Sequence, residues 1–417
     1  MTVTKERRSP LDAPREMYRM LREGGIRTDR WETAPTIGDI RRLARRRLPQ
    51  LAFDFIDGGA GAEITLRANV ADLAQVTLRP RSLVDISDVD TSVELFGQRL
   101  PMPLVMSPCG LMRIAGGEGE LAAVRAAGQA GVTYTISTAS SWSIEEIAAQ
   151  ASGPLWFQLY LWRSREVVRT LVDRARAAGC AALVVTLDVP VNGKRPRDHR
   201  NGMSIPPKVT PRNALQVARR PRWFLDLLRG PAIGFRNLEG IATGSSAMSH
   251  QEFVNTQLVN PRASWEDVSW LRREWDGPLI LKGVMSTADA AQASAVGADA
   301  VVVSNHGGRQ LDSLASSART LPRILDAVGD AMPVLVDGGV RSGTDVVKLR
   351  AMGAAAVGVG RPWAWGLGAG GERGVARALE IFRDEVTETL CLLGTPHAET
   401  LTTDDVHVPA AWSGTTT

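Results

Sequence analysis

From about residue 100 onward the chain alternates short runs of Val, Ile and Leu with longer stretches in which apolar side chains recur every three or four positions. Continuous apolar runs of this length suit strands buried on both faces, and the longer stretches suit helices that cover them. The pattern predicts eight strands, at 104–108, 132–138, 155–161, 181–188, 279–284, 300–306, 334–338 and 355–360. Helices fall between them at 118–130, 143–151, 165–178, 265–275, 287–296, 320–327, 344–352 and 374–393. Eight such units predict an α/β fold of the (β/α)8 TIM barrel type, which needs roughly 250 residues. Residues 100–401 supply the barrel, preceded by an N-terminal extension with a helical cap segment (1–99) and followed by a tail (402–417). An insertion at about 196–262, after the fourth strand, is too long to be a plain connector. In the extension, 37–55 reads as one helix whose Arg41, Arg42, Arg45, Arg46 and Arg47 are expected on a solvated face.

A barrel of this kind carries its chemistry at the C-terminal ends of the strands, so polar residues ending apolar runs are the candidates. Six consecutive strands end this way. The third ends in Gln158 and Tyr160, the fourth in Thr186 and Asp188, the fifth in Lys282 and the sixth in SNHGGR, from Ser304 to Arg309. The seventh ends in Asp337, Gly338, Gly339, Val340 and Arg341, and the eighth in Gly360 and Arg361. The two glycine and arginine turns match a phosphate site, where glycine lets backbone N–H groups approach an anion that arginine neutralises. Lys282 would be costly to bury without a negative partner, and a flavin that carries charge when reduced supplies one, which favours FMN. His306 is the candidate base: imidazoles titrate near neutrality, and Asp188 at a neighbouring strand end can stabilise the imidazolium. Arg309 and Arg195 can each grip a carboxylate through paired hydrogen bonds. Gly366 to Gly371 formally fits GxGxxG, but no strand precedes it directly, so it is expected as a helix-entry loop and not a dinucleotide site.

Composition narrows this reading without redirecting it. With 44% hydrophobic and 23% charged residues in 417, the chain is expected to fold as a globular protein with a large core. Cys109, Cys180 and Cys391 lie far apart, which disfavours a disulfide framework or a zinc knuckle, points to a reducing cytoplasm and leaves no metal site expected. The charged N-terminus and the lack of a long apolar run predict neither secretion nor a membrane span. Net charge is only +4, yet residues 1–50 carry 13 basic against 7 acidic side chains, and 194–236 carry 11 against 2. The remainder is acidic and holds no nucleic-acid reading motif, so no nucleic-acid partner is expected. Within the second basic segment, Arg219, Arg220, Arg222 and Arg229 alternate with Trp223, Phe224, Leu225, Leu227 and Leu228. This suits an anionic membrane surface, with the tryptophan sinking into the interface; a loop folded over the barrel mouth or a subunit contact is the other reading.

The motifs SNHGGRQLD (304–312) and DGGVRSGTDVVK (337–348) resemble those of the FMN-dependent 2-hydroxy-acid oxidase and dehydrogenase family, and the resemblance runs from about residue 36 to 401. It implies FMN contacts from Pro108, Cys109, Gly110, Ser137, Gln158, Thr186, Lys282 and Ser304, with Asp337 to Arg341, Gly360 and Arg361 at the phosphate. It assigns His306 as catalytic base backed by Asp188, Arg309 and Arg195 to the substrate carboxylate, and Tyr160 to the substrate hydroxyl. The implied reaction oxidises an L-2-hydroxy acid to the 2-oxo acid, and the family frequently assembles as tetramers. In resembling dehydrogenases the insertion mediates membrane association and electrons pass to quinone, so a cytoplasmic protein peripheral on the inner membrane face is expected; an oxygen-using oxidase or monooxygenase is the alternative. Two positions depart from the family. Phe55 stands where a tyrosine commonly binds the substrate carboxylate, which keeps open a specialised or peptide-derived substrate. Ala139 stands where short-chain glycolate oxidases carry tryptophan, which predicts a roomier pocket for lactate or a bulkier, aromatic hydroxy acid. A non-catalytic FMN-binding or membrane scaffold would give His306, Asp188 and Arg309 no purpose.

Overall fold

The computed structural model describes residues 33–203, 210–239 and 260–412. Eight strands form one closed, all-parallel barrel: β1 (Leu104–Met106), β2 (Thr133–Ser137), β3 (Leu155–Tyr160), β4 (Ala182–Thr186), β5 (Leu279–Val284), β6 (Ala300–Val303), β7 (Val334–Asp337) and β8 (Ala356–Val359). Neighbours pair in chain order, and β8 closes on β1 through Val357 to Leu104 and Val359 to Met106. The strands are apolar on successive positions because one face fills the barrel and the other meets the helices; β2, β4, β6, β7 and β8 are buried throughout. The α/β barrel read from the pattern is therefore the observed fold.

Three segments differ from the sequence expectation. The helix expected over 37–55 is two helices, Ile37–Arg47 and Gln50–Asp57, because Pro49 forces Leu48 into an extended conformation and leaves helix geometry broken there. Its arginines divide accordingly: Arg42, Arg45 and Arg46 are exposed, whereas Arg41 makes a paired contact with Asp57 (2.6 and 2.9 Å) and Arg47 donates to the Ala369 carbonyl. The glycine-rich stretch after β8 is not a helix-entry loop; it forms the helix Arg361–Gly370. A Cβ on Gly366 would lie 2.5 Å from the Gly374 carbonyl oxygen and one on Gly368 2.7 Å from Leu48, so these glycines serve close helix contacts. Finally, residues 402–412 are docked on the body: Val406–His407 pairs antiparallel with Thr77–Leu78, and Trp412 is buried.

The insertion contributes the helices Pro196–Arg200, Pro211–Ala218 and Pro221–Leu228 among its described residues. The last one docks on the loop after β1. Trp223, expected to enter a membrane interface, is instead only 6% exposed and its Nε1 donates to the Ile114 carbonyl at 2.9 Å. Arg113 reaches back to the Leu227 carbonyl at 2.8 Å. No helix among the described residues is long and apolar enough to cross a membrane.

Candidate active site

One cavity of about 660 Å³ opens at the C-terminal end of the barrel. It collects Phe55, Pro108, Cys109, Gly110, Ser137, Ala139, Gln158, Tyr160, Thr186, Arg195, Lys282, His306 and Arg309 together with the two glycine and arginine turns at 337–341 and 360–361. Two expected residues stand behind the wall. Ser304 is fully buried, accepts from Lys282 Nζ at 2.8 Å and from the His306 backbone N–H at 3.1 Å, and orients both neighbours rather than facing the cavity. Asp188 lies behind His306.

The cofactor end is a hydrogen-bonded layer of strand-end side chains. Gln158 donates to Thr186 Oγ1 (3.0 Å) and accepts from Ser137 Oγ (3.2 Å), which fixes the amide in one orientation. Lys282 Nζ sits 3.0 Å from Asp337 Oδ2; burial works against its charge, but Asp337 and Asp188 outweigh burial and hold its pKa above the ordinary value. The second Asp337 oxygen is buried with no partner among the described residues. Cys109 is pushed up to about 12 by burial and is a neutral, packed thiol. At the far end Arg341 lies over the Trp365 ring at 4.8 Å, and burial brings it and Arg361 down to about 10, where both remain charged at neutrality. The residues fit FMN: amide, hydroxyl and ammonium groups edge one end of the cavity and two cations beside glycine backbone form the other. A Cβ on Gly339, whose φ is +89°, would lie 2.0 Å from the Asn69 carbonyl oxygen, so only glycine permits this turn.

Over the same cavity His306 Nδ1 lies 3.1 and 3.3 Å from the two Asp188 oxygens. Burial pushes Asp188 upward, but the charge of and hydrogen bond to His306 outweigh it and keep the carboxyl below its ordinary range. Two backbone features permit this pair. His306 itself adopts a left-handed φ of +58°, which turns its ring out of the strand. Gly283 bulges β5 at a φ of +101°, and a Cβ there would lie 2.8 Å from Asp188. With Nδ1 held by a carboxylate, Nε2 is the ring atom available for proton transfer.

The substrate end joins three remote segments. The Phe55 ring has the Arg309 guanidinium 5.4 Å and the Arg195 guanidinium 5.8 Å from its centre. Arg309 donates to the Gly58 carbonyl at 3.0 Å, and Arg361 donates to the same oxygen at 2.8 Å and to the Ile56 carbonyl at 3.2 Å. The buried C-terminal carbonyls of helix Gln50–Asp57, which lack intrahelical donors, thus orient both arginines. Burial lowers Arg309 to about 9, still cationic at neutrality. Tyr160 is pushed up to about 12 by burial and keeps its phenol proton as a donor. Sequence reasoning missed several neighbours. Gln310 donates to the Asp188 and Val191 carbonyls (3.1 and 3.2 Å) and pins the loop after β4; its place inside the SNHGGRQLD motif was the available signal. Met112, Met203 and Phe235 line the apolar side and carry no signal in their local pattern. Asp198 also lines the cavity, three residues after Arg195.

A cavity at a barrel mouth whose residues would hold a flavin nucleotide, lined also by a carboxylate-backed imidazole and two arginines, defines a flavin-linked oxidoreductase of a carboxylic acid. Residues 44–408 match the model of the FMN-dependent dehydrogenase family, and the chain belongs to that family. It is 46% identical over 359 residues to an L-lactate dehydrogenase of Caulobacter vibrioides strain NA1000 / CB15N, covering 85% of this chain and 93% of that protein. It is 43% identical to an L-lactate dehydrogenase of Alcaligenes faecalis, covering 88% and 97%. Among solved structures, the monotopic membrane protein (S)-mandelate dehydrogenase superposes with a TM-score of 0.84 at 37% identity, over 90% of this chain and 99% of that one. A mandelate oxidase superposes at 0.75 with 41% identity, over 88% and 96%.

Proposed function

We propose that this FMN-dependent enzyme oxidises an L-2-hydroxy acid of lactate size or larger, aromatic ones included, while resting on an anionic membrane surface and passing its electrons to a quinone. The observation that carries the chemistry is the pairing of His306 with Asp188 above the cavity that Arg195, Arg309 and Lys282 also reach. FMN, when bound, would accept the two electrons and one of the two hydrogens that the hydroxy acid loses. Arg309 and Arg195 hold the substrate carboxylate, and Tyr160 donates to the substrate hydroxyl oxygen. His306 Nε2 takes up a proton of the bound acid, and Asp188 stabilises the imidazolium that results. Lys282 holds a positive charge against the cofactor end, and Arg341 and Arg361 take its phosphate. Ala139 leaves room beside Met112 and Phe235 for the substrate's side chain. Anaerobic mixing with glycolate, L-lactate, (S)-mandelate and L-phenyllactate, following bleaching of the oxidised flavin band, tests this reading. Lactate or a larger acid should bleach the flavin with the highest kcat/KM, and a clear glycolate preference would reject the roomy pocket.

The membrane reading rests on the insertion. Leu215, Phe224, Leu225 and Leu228 are exposed, Leu228 by 63%, beside the exposed Arg219, Arg222 and Arg229. Basic groups near anionic lipid contribute about 1 kcal/mol each, and apolar side chains add to it. Removing the whole segment would also uncover the surface that Trp223 covers, so the sharper test replaces Phe224 and Leu228 together by Asp. The intact protein should float with anionic liposomes and the double variant should not; no flotation of the intact protein would reject the reading. Reduced enzyme should be reoxidised by a soluble quinone faster than by oxygen, and rapid peroxide release would favour the oxidase. The same reading includes a homotetramer, supported by the exposed apolar Ile64, Val191 and Leu311 and checked by light scattering.

A further inference from the structure

Two carboxylates line the cavity among the described residues, Asp337 at the cofactor end and Asp198 at the substrate end. Asp337 is closely engaged by Lys282. Asp198 is not engaged in that way. It is buried, its one ion pair among the described residues is a loose 3.5 Å contact to Arg195 Nε, and its Oδ1 is buried without a partner among those residues. A chain that needed only to anchor a cation has a better device close by, since Arg41 grips Asp57 through two short bonds at 2.6 and 2.9 Å. Leaving a carboxylate half-paired in a buried site costs stability, and here it stands against the cations that take the substrate's own carboxylate.

We infer that Asp198 is a counter-carboxylate: it offsets the charge of Arg195 and Arg309 and thereby limits how tightly the pair holds a bound acid, so that the product can leave. Substrate and 2-oxo acid product carry the same carboxylate, so arginines alone would bind both tightly and gain nothing in turnover. Asp198 acts as a positioning and affinity-setting residue, through the arginines and through its field at the cavity wall. The groups that face it are Arg195 on its own segment, Arg309 from the loop after β6, Asp54 from helix Gln50–Asp57, and the adjacent His199. Burial, with Asp54 adding to it, raises its carboxyl above the ordinary value against the pull of the arginines. A bound carboxylate disfavours the ionised form further, so ligand affinity should rise as pH falls and Asp198 takes up a proton.

The inference rests on the arginines being the carboxylate site, and the test separates the two. Pyruvate, ionised throughout about pH 5 to 8, is titrated into the FMN-loaded enzyme by its perturbation of the flavin spectrum. Wild type should bind more tightly at pH 5 than at pH 8. Asp198→Asn should bind about tenfold more tightly than wild type at pH 8, with the gap narrowing toward pH 5, and pyruvate should become a stronger product inhibitor. The ratio of variant to wild-type affinity at each pH isolates the contribution of Asp198. Asp198→Glu should restore the wild-type pH dependence, which a merely structural role would not. Asp198→Ser supplies a second neutral variant should the first fail to hold FMN. Unchanged or weaker binding by the neutral variants, or a wild-type affinity that does not rise at low pH, overturns this inference alone. Failure of wild type to bind pyruvate at any pH overturns the carboxylate site and this inference with it.

Discussion

At the cofactor end of the cavity, Gln158, Thr186, Lys282, Asp337, Arg341 and Arg361 all sit in a barrel strand or within a few residues of its end. At the substrate end, Phe55 comes from a helix ahead of the barrel, Arg195 and Asp198 from the insertion after β4, and Arg309 from the loop after β6. The first group is held by a closed ladder of strands and by one another. The second is held by backbone carbonyls at a helix end and by the Phe55 ring, where nothing but tertiary packing fixes the spacing. The two ends are therefore suited to different tasks: a fixed seat for a group that stays, and an adjustable seat for acids that come and go.

His306 belongs to both ends, and its removal should have the largest effect. His306→Gln should lower the rate of anaerobic flavin reduction by about 10²- to 10⁴-fold, the usual contribution of a positioned base, while the protein still binds FMN. A rate within a few-fold of wild type would show that the imidazole and Asp188 pair is not where the proton goes.

Next in size is the fixed seat. Lys282→Met leaves Asp337 as a buried charge facing no cation, which should cost about 3–5 kcal/mol in urea unfolding and release FMN during gel filtration. Adding Asp337→Asn to the same chain should recover a large part of that loss, because the uncompensated charge goes with it. If the two single losses simply add, the pair is not coupled and the cofactor end owes its rigidity to the strands alone.

This contrast also governs what could be read from the sequence. Strands β1 to β8 stand out because parallel strands buried on both faces are unbroken apolar runs, and their polar ends, from Gln158 to Arg361, follow at once. Helix Arg361–Gly370 did not stand out, since its glycines oppose helix propensity and only close contacts with Gly374 and Leu48 explain Gly366 and Gly368, while Pro362 in the first turn marks a helix start. The break at Pro49 was legible in the residue itself, as a proline after an extended leucine, but the arginine stripe running into it masked the signal. The carbonyl of Gly58, which orients both Arg309 and Arg361, has no signature at all, because a backbone acceptor belongs to every residue. Trp223 looked like an interfacial anchor for the same reason that it packs well against the loop after β1: a large ring with one donor suits either place.

The smallest effect tests the adjustable seat. Phe55→Tyr adds a hydroxyl to a ring whose centre lies 5.8 Å from the Arg195 guanidinium and 5.4 Å from that of Arg309, in the cavity proposed to take the substrate. If the seat has spare room for a third donor, one added hydrogen bond to the carboxylate, worth about 0.5–1.5 kcal/mol, should lower KM for L-lactate about two- to tenfold with little change in the rate of flavin reduction. If instead the bare aromatic face is what spaces the two guanidinium groups, the hydroxyl will draw one arginine out of place and KM will rise. The first outcome is expected, because Arg309 is already anchored by the Gly58 carbonyl and does not depend on the ring for its position. A rise in KM would mean that the substrate end is as rigidly built as the cofactor end, and the distinction between the two seats would disappear.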